Sequence, residues 1–126
     1  MRLLIADSDP TLTELYESYF SDKGYQVVTA SNGLQCLRSI REELPDVLVL
    51  EHKLPWGGAD GVLACLRQDY PFASPEVILL TNQRDPQYSI GGEIPEVDGY
   101  LRKPFLMRDL ARVIQRVRSQ QRAAAQ

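Results

Sequence analysis

A chain of 126 residues, 44% apolar and 25% charged, has the size and composition of one globular domain, which excludes a disordered polymer. A formal charge of −3 gives no general attraction to nucleic acid or anionic membrane, and no apolar run approaches membrane-spanning length. Cys36 and Cys65 fall in helical patterns among apolar neighbours, so they read as reduced, buried core residues of a cytoplasmic protein rather than as a disulfide or metal ligands.

The chain opens on Leu3–Ala6, wholly apolar, as expected of a strand buried on both faces. Asp9 is placed to cap a helix and Pro10 to take its first position. Leu12, Leu15, Tyr16, Tyr19 and Phe20 then recur at helical spacing, and Gly24 ends the pattern. Tyr25–Ala30 reads as a second strand. Asn32-Gly33 opens a second helix with Cys36, Leu37, Ile40 and Leu44 inward, closed by Pro45. Asp46–Leu50 is the third strand. Gly61–Asp69 reads as a shorter helix carrying Val62, Cys65 and Leu66 on one face. Glu76–Leu80 is the fourth strand and Gly99–Leu101 a short fifth. A last helix begins near Phe105, with Leu106, Leu110, Val113, Ile114 and Val117 at helical spacing. Residues 1–119 form the domain by this reading, and 120–126 a frayed polar tail.

Strands alternating with helices over short connections point to an α/β fold: a doubly wound, five-stranded parallel sheet with helices on both faces. Such sheets commonly have order 2-1-3-4-5, which makes strands one and three neighbours where the winding reverses. Ligands bind there, beyond the carboxyl ends of the strands. Four strands run out into polar residues at that end: Asp7-Ser8-Asp9, Glu51, Thr81 and Arg102-Lys103-Pro104. A carboxylate pair, a hydroxyl and an amine at successive strand ends suit the handling of a phosphoryl group.

The chain resembles the receiver domains of bacterial two-component response regulators. The resemblance rests on Leu4-Ile5-Ala6-Asp7-Ser8-Asp9-Pro10, Ala30-Ser31-Asn32-Gly33, Pro45-Asp46-Val47-Leu48-Val49-Leu50, Leu54-Pro55, Asp60-Gly61, Leu80-Thr81 and Tyr100-Leu101-Arg102-Lys103-Pro104-Phe105. It implies a phosphoacceptor position at Glu51, phosphoryl-oxygen partners at Thr81 and Lys103, a switch aromatic at Tyr100, and a Mg²⁺ site on Asp7 with Ser8 and Glu51. It also implies protein partners, such as a signalling kinase or an output protein, and a possible homodimer. Neither membrane nor nucleic acid is expected.

Two positions depart from the family pattern, which has an aspartate where Glu51 stands and an acid where Ser8 stands. In-line phosphoryl transfer is mostly positioning and charge stabilisation, and an attacking oxygen displaced by roughly 1 Å can cost on the order of 100-fold. Mg²⁺ wants near-octahedral oxygen ligation with carboxylate charge, which a serine hydroxyl does not supply. The expectation is a receiver that is not phosphorylated, with weak or absent Mg²⁺, in which Glu51 reaches toward Thr81 and Lys103 and pairs with Lys103. A phosphate-accepting receiver with an atypical site is the alternative.

Two further segments differ from the pattern. Trp56-Gly57-Gly58-Ala59 reads as a long, flexible loop beside the pocket. Asn82–Asp98, with Pro86, Gly91, Gly92 and Pro95, predicts a short or irregular fourth helix. Trp56 reads either as a partner anchor or as a ring folded over an apolar edge, and His52 as a solvated loop residue. A haloacid dehalogenase-like phosphatase, with Asp7 as nucleophile and Asp9 as acid/base, also fits Asp7-Ser8-Asp9-Pro10-Thr11, but the chain lacks that family's late acidic motif. A flavodoxin-like flavin carrier is disfavoured because Asp7 and Asp9 would repel a phosphate in the first loop.

Overall fold

The computed structural model describes residues 1–69, 75–82 and 96–125. These residues form β1 (Arg2–Ala6), α1 (Pro10–Asp22), β2 (Gln26–Ala30), α2 (Gly33–Glu43), β3 (Val47–Glu51), α3 (Gly58–Asp69), β4 (Glu76–Thr81), β5 (Gly99–Arg102) and α4 (Met107–Ala125). All strand pairs are parallel, in the order β2-β1-β3-β4-β5. The fold class expected from the sequence is the one observed. The expected short or irregular helix between β4 and β5 lies outside the described residues.

The apolar strand runs follow from burial on both faces. Side chains alternate across a strand. Leu4, Ala6, Leu48, Leu50, Val77 and Leu79 therefore pack against Cys36 and Ile40 of α2 and Val62, Leu63 and Leu66 of α3. Their neighbours Leu3, Ile5, Val47, Val49, Ile78 and Leu80 pack against Tyr16 and Phe20 of α1 and Leu110, Ile114 and Val117 of α4. Each fully buried Leu, Ile or Phe contributes roughly 1.5–3 kcal/mol of transfer free energy, so the two layers fix strand register firmly.

Helix ends follow the local chemistry. Asp9 caps α1 by accepting the N–H groups of Thr11 (2.9 Å) and Leu12 (3.3 Å), and Pro10 follows it. Gly24, at φ +92°, makes the turn into β2. Asn32 caps α2 through the N–H of Gln35 at 2.9 Å. The Asp9 carboxylate is thus engaged in capping α1.

Several expected boundaries and orientations are corrected. β3 includes Glu51, whose backbone pairs with Leu80. α3 starts at Gly58 rather than Gly61, because Gly57 and Gly58 take φ of +94° and +66° and fold the chain back at once. The Ala59 N–H then bonds the His52 carbonyl (3.0 Å) and the Gly61 N–H bonds Gly57 (3.1 Å), so this segment is hydrogen-bonded. α4 starts at Met107 rather than near Phe105, and its backbone is helical through Ala125. Leu106 precedes the helix and is exposed. Leu15 and Leu44, expected inward, are also exposed, and only Tyr16 and Phe20 of the α1 stripe are buried. Cys36 is buried as expected, and burial pushes its thiol up to about 12, whereas Cys65 is only half-buried.

Candidate functional site

Register alone assembles the site. Ala6 pairs with Leu50, so Asp7 and Glu51 each lie one residue beyond a matched pair on adjacent strands. Glu51 pairs with Leu80, so Thr81 follows on the third neighbouring strand. Thr81 pairs with Arg102, which brings Lys103 just past the end of the fourth. The Lys103 N–H donates to the Thr81 carbonyl at 2.7 Å, tying this end of β5 to β4. Residues 7, 51, 81 and 103 are thus neighbours at one sheet edge, as the sequence predicts. Tyr100, opposite Leu79, lies further back on β5 with 37% of its surface exposed.

Asp7 is fully buried. Its Oδ1 accepts the Asp9 N–H at 2.9 Å, and its Oδ2 accepts the Tyr16 hydroxyl at 3.1 Å and the Lys103 ammonium at 2.8 Å. A carboxylate without water must be paired in this way. Glu51 turns elsewhere. Its Oε2 accepts the Ser8 N–H at 2.8 Å, and its Oε1 accepts the Ser8 hydroxyl at 3.3 Å. The Glu51–Lys103 pair expected from the sequence exists, at 3.8 Å, but it is the longer of the two lysine contacts. The reason is burial: Asp7 has no solvent and draws the ammonium most strongly, while Glu51 finds a main-chain donor just past the end of β1.

Tyr16 is the functional residue that sequence reasoning missed. It was assigned to the apolar face of α1, and it is indeed buried, but its hydroxyl reaches Asp7 and its ring stacks on Phe105 at 6.3 Å between centroids. The available signal was a polar-tipped aromatic in an otherwise apolar stripe shortly after a strand-end acid. Burial first, and then the nearby Asp7 charge, push its ionisation far above the ordinary value of 10.0, so it stays a donor.

This raised ionisation has a sign. Below pH 10.0 the hydroxyl is protonated in folded and unfolded chains alike, and its contribution to stability is complete. At higher pH the unfolded chain releases this proton first, and stability falls. Tyr16→Phe is expected to lower stability by about 1.5–3 kcal/mol at neutral pH, the range for a hydrogen bond to a charged group. The gap to the parent protein should narrow as pH rises above about 10. Urea denaturation of both proteins across that range checks it.

The cleft between these strand ends is lined by Glu51, His52, Lys53, Leu80, Thr81, Asn82 and Lys103, with about 10 Å³ of free volume. That is roughly the space of one water molecule. In the β3–α3 connection Trp56 is 71% exposed, which removes the reading of a ring folded over an apolar edge.

A parallel sheet of order β2-β1-β3-β4-β5, with carboxylates at the reversal point between β1 and β3, defines a doubly wound α/β protein with its site at the strand carboxyl ends. The model of the response regulator receiver domain matches residues 3–115, and the chain belongs to that family of two-component signalling modules. It is similar to the DNA-binding response regulator MtrA of Mycolicibacterium smegmatis, at 32% identity over 93% of this chain and 50% of the relative. It is also similar to the probable transcriptional regulator ycf27 of Guillardia theta, at 33% identity over 86% of this chain and 42% of the relative. The chain thus spans about half the length of the curated relatives it matches. Among solved structures it resembles a putative response regulator from Chloroflexus aurantiacus, with TM-score 0.79 and 30% identity over 92% of this chain and 95% of that one. The chemotaxis response regulator CheY4 of Vibrio cholerae shares the fold, with TM-score 0.81 and 24% identity over 92% and 97% of the two chains. No helix among the described residues is long and apolar enough to cross a membrane.

Proposed function

We propose that this receiver domain does not accept a phosphoryl group and acts by protein–protein contact, with a signalling kinase, an output protein or a second copy as its partner. The Glu51 carboxylate carries this reading. Its two oxygens are held by the N–H and hydroxyl of Ser8, just past the end of the neighbouring strand β1. An attacking oxygen has to be free and in line with the incoming phosphorus, and transfer has little else to drive it than positioning and charge.

Family resemblance implies Mg²⁺ at Asp7, and the donors present do not fit it. Mg²⁺ demands octahedral oxygen ligation led by carboxylates. Both oxygens of Asp7 already accept internal donors, and Ser8 brings no carboxylate. Among the described residues no group of three His, Cys, Asp or Glu side chains is placed to hold a metal. Our reading therefore has the domain working without a metal and without catalysis. The phosphatase alternative suffers likewise, since Asp7 is fully buried and Asp9 is a helix cap. The −3 charge gives the domain no general pull toward DNA, so the DNA-binding named for its relatives is not transferred to it.

Incubation with acetyl phosphate and Mg²⁺, followed by intact-mass measurement, is the direct test. The expected spectrum shows the unmodified chain alone. A stoichiometric phosphate adduct would overturn the reading in favour of an atypical but working acceptor.

A further inference from the structure

We infer that the Lys103 ammonium is the resident cation of this pocket, bridging Asp7 and Glu51 so that a divalent ion is kept out. The inference rests on the reading above and adds the device that enforces it. Lys103 Nζ lies 2.8 Å from Asp7 Oδ2 and 3.8 Å from Glu51 Oε1, with only 16% of the side chain exposed. Its own backbone is fastened to β4 through the Thr81 carbonyl. The ammonium is therefore a placed charge, not a solvated one.

Three groups reinforce it. The Tyr16 hydroxyl shares Asp7 Oδ2 with the lysine, the Asp9 N–H takes Oδ1, and Ser8 takes both oxygens of Glu51. A divalent ion could reach these carboxylates only by breaking charge-assisted bonds to both, and among the described residues no third carboxylate is placed to join them. Withdrawing the lysine charge reverses the balance. Asp7 and Glu51 would then lie at adjacent strand ends without the ammonium that contacts them both, and a divalent ion becomes their best partner.

The test uses Mn²⁺ alone, followed by the loss of its free-ion EPR signal. The unsubstituted protein should leave the signal unchanged at millimolar Mn²⁺. Lys103→Gln should bind one ion per chain at least about tenfold more tightly, and adding Asp7→Asn should abolish that gain. Tyr16→Phe keeps the ring and leaves the lysine on Asp7 and Glu51, so like the parent it should leave the signal unchanged. The inference is overturned if the unsubstituted protein binds Mn²⁺ in a manner lost in Asp7→Asn. It is equally overturned if a folded Lys103→Gln chain binds no better than the parent. Should Lys103→Gln not fold, Lys103→Met takes its place: a folded chain that binds Mn²⁺ no better than the parent overturns the inference, and a gain lost in Asp7→Asn upholds it. Parallel acetyl phosphate incubation separates the two readings. A chain that refuses Mn²⁺ yet takes up phosphate leaves the resident cation standing and removes the proposed function. One that binds Mn²⁺ yet stays unmodified does the reverse.

Discussion

The double variant Ser8→Asp/Glu51→Asp is expected to take up phosphate from acetyl phosphate in the presence of Mg²⁺, at a rate on the order of 100-fold or more above either single variant. Shortening residue 51 by one methylene withdraws its carboxylate from the Ser8 N–H and returns it to the cleft. Placing a second carboxylate at residue 8 adds the acidic ligand that Mg²⁺ needs. Neither change suffices alone. Glu51→Asp gives a correctly sized acceptor without a metal to neutralise the developing charge. Ser8→Asp sets a carboxylate where the Ser8 hydroxyl now lies 3.3 Å from Glu51 Oε1, so two like charges meet beside a third on Asp7. That single variant should also be less stable than the parent, with the loss relieved on adding Glu51→Asp. Intact-mass time courses on the four proteins measure the first effect and urea titrations the second. Equal uptake by Glu51→Asp alone would show that the metal ligand is dispensable.

A second large effect is expected from Gly33→Ala. A Cβ at Gly33 would fall 2.2 Å from the Trp56 carbonyl oxygen and 3.3 Å from its carbon, both backbone atoms. The Gly33 N–H also donates to the Pro55 carbonyl at 2.8 Å, so the start of α2 and the β3–α3 connection are in direct contact. Trp56 cannot yield readily, because it already sits at φ +66°, an uncommon value for a bulky residue, and Gly57 and Gly58 follow it at positive φ. Overpacking of this kind costs about 1–3 kcal/mol, and here the strain falls on the β3–α3 connection. Stability should drop by that amount, and the Trp56 fluorescence should shift as its backbone moves. Gly61→Ala is the control. Nothing lies within 4 Å of a Cβ there and its φ is ordinary, so stability should hold or rise slightly.

The parts of the molecule governed by short-range rules were legible in the sequence. Leu3–Ala6 and Val47–Leu50 announce strands buried on both faces, and Asp9-Pro10 announces the start of α1, because burial and capping act within a few residues. Adjacency of Asp7, Glu51, Thr81 and Lys103 followed from the strand order. What the residues do within that cluster was less legible. The Ser8–Glu51 bonds join positions 43 apart, and they depend on a main-chain N–H, which no residue letter records. Tyr16 was read by its ring and acts also through its hydroxyl. Leu15 and Leu44 were assigned inward by periodicity, but each helix buries only a narrow stripe against the sheet. The early start of α3 turned on successive positive φ values, and glycine letters permit that turn without demanding it.

The Ser8–Glu51 bridge also bears on how such a sequence drifts over generations. Each partner is favourable only beside the other: an acid at 8 meets Glu51 as a like charge, and a shortened acid at 51 leaves the serine without its acceptor. A lineage carrying both therefore faces a valley in either direction. On the proposed reading, phosphate acceptance would take both changes at once, so the bridge would act as a ratchet on further change at these positions.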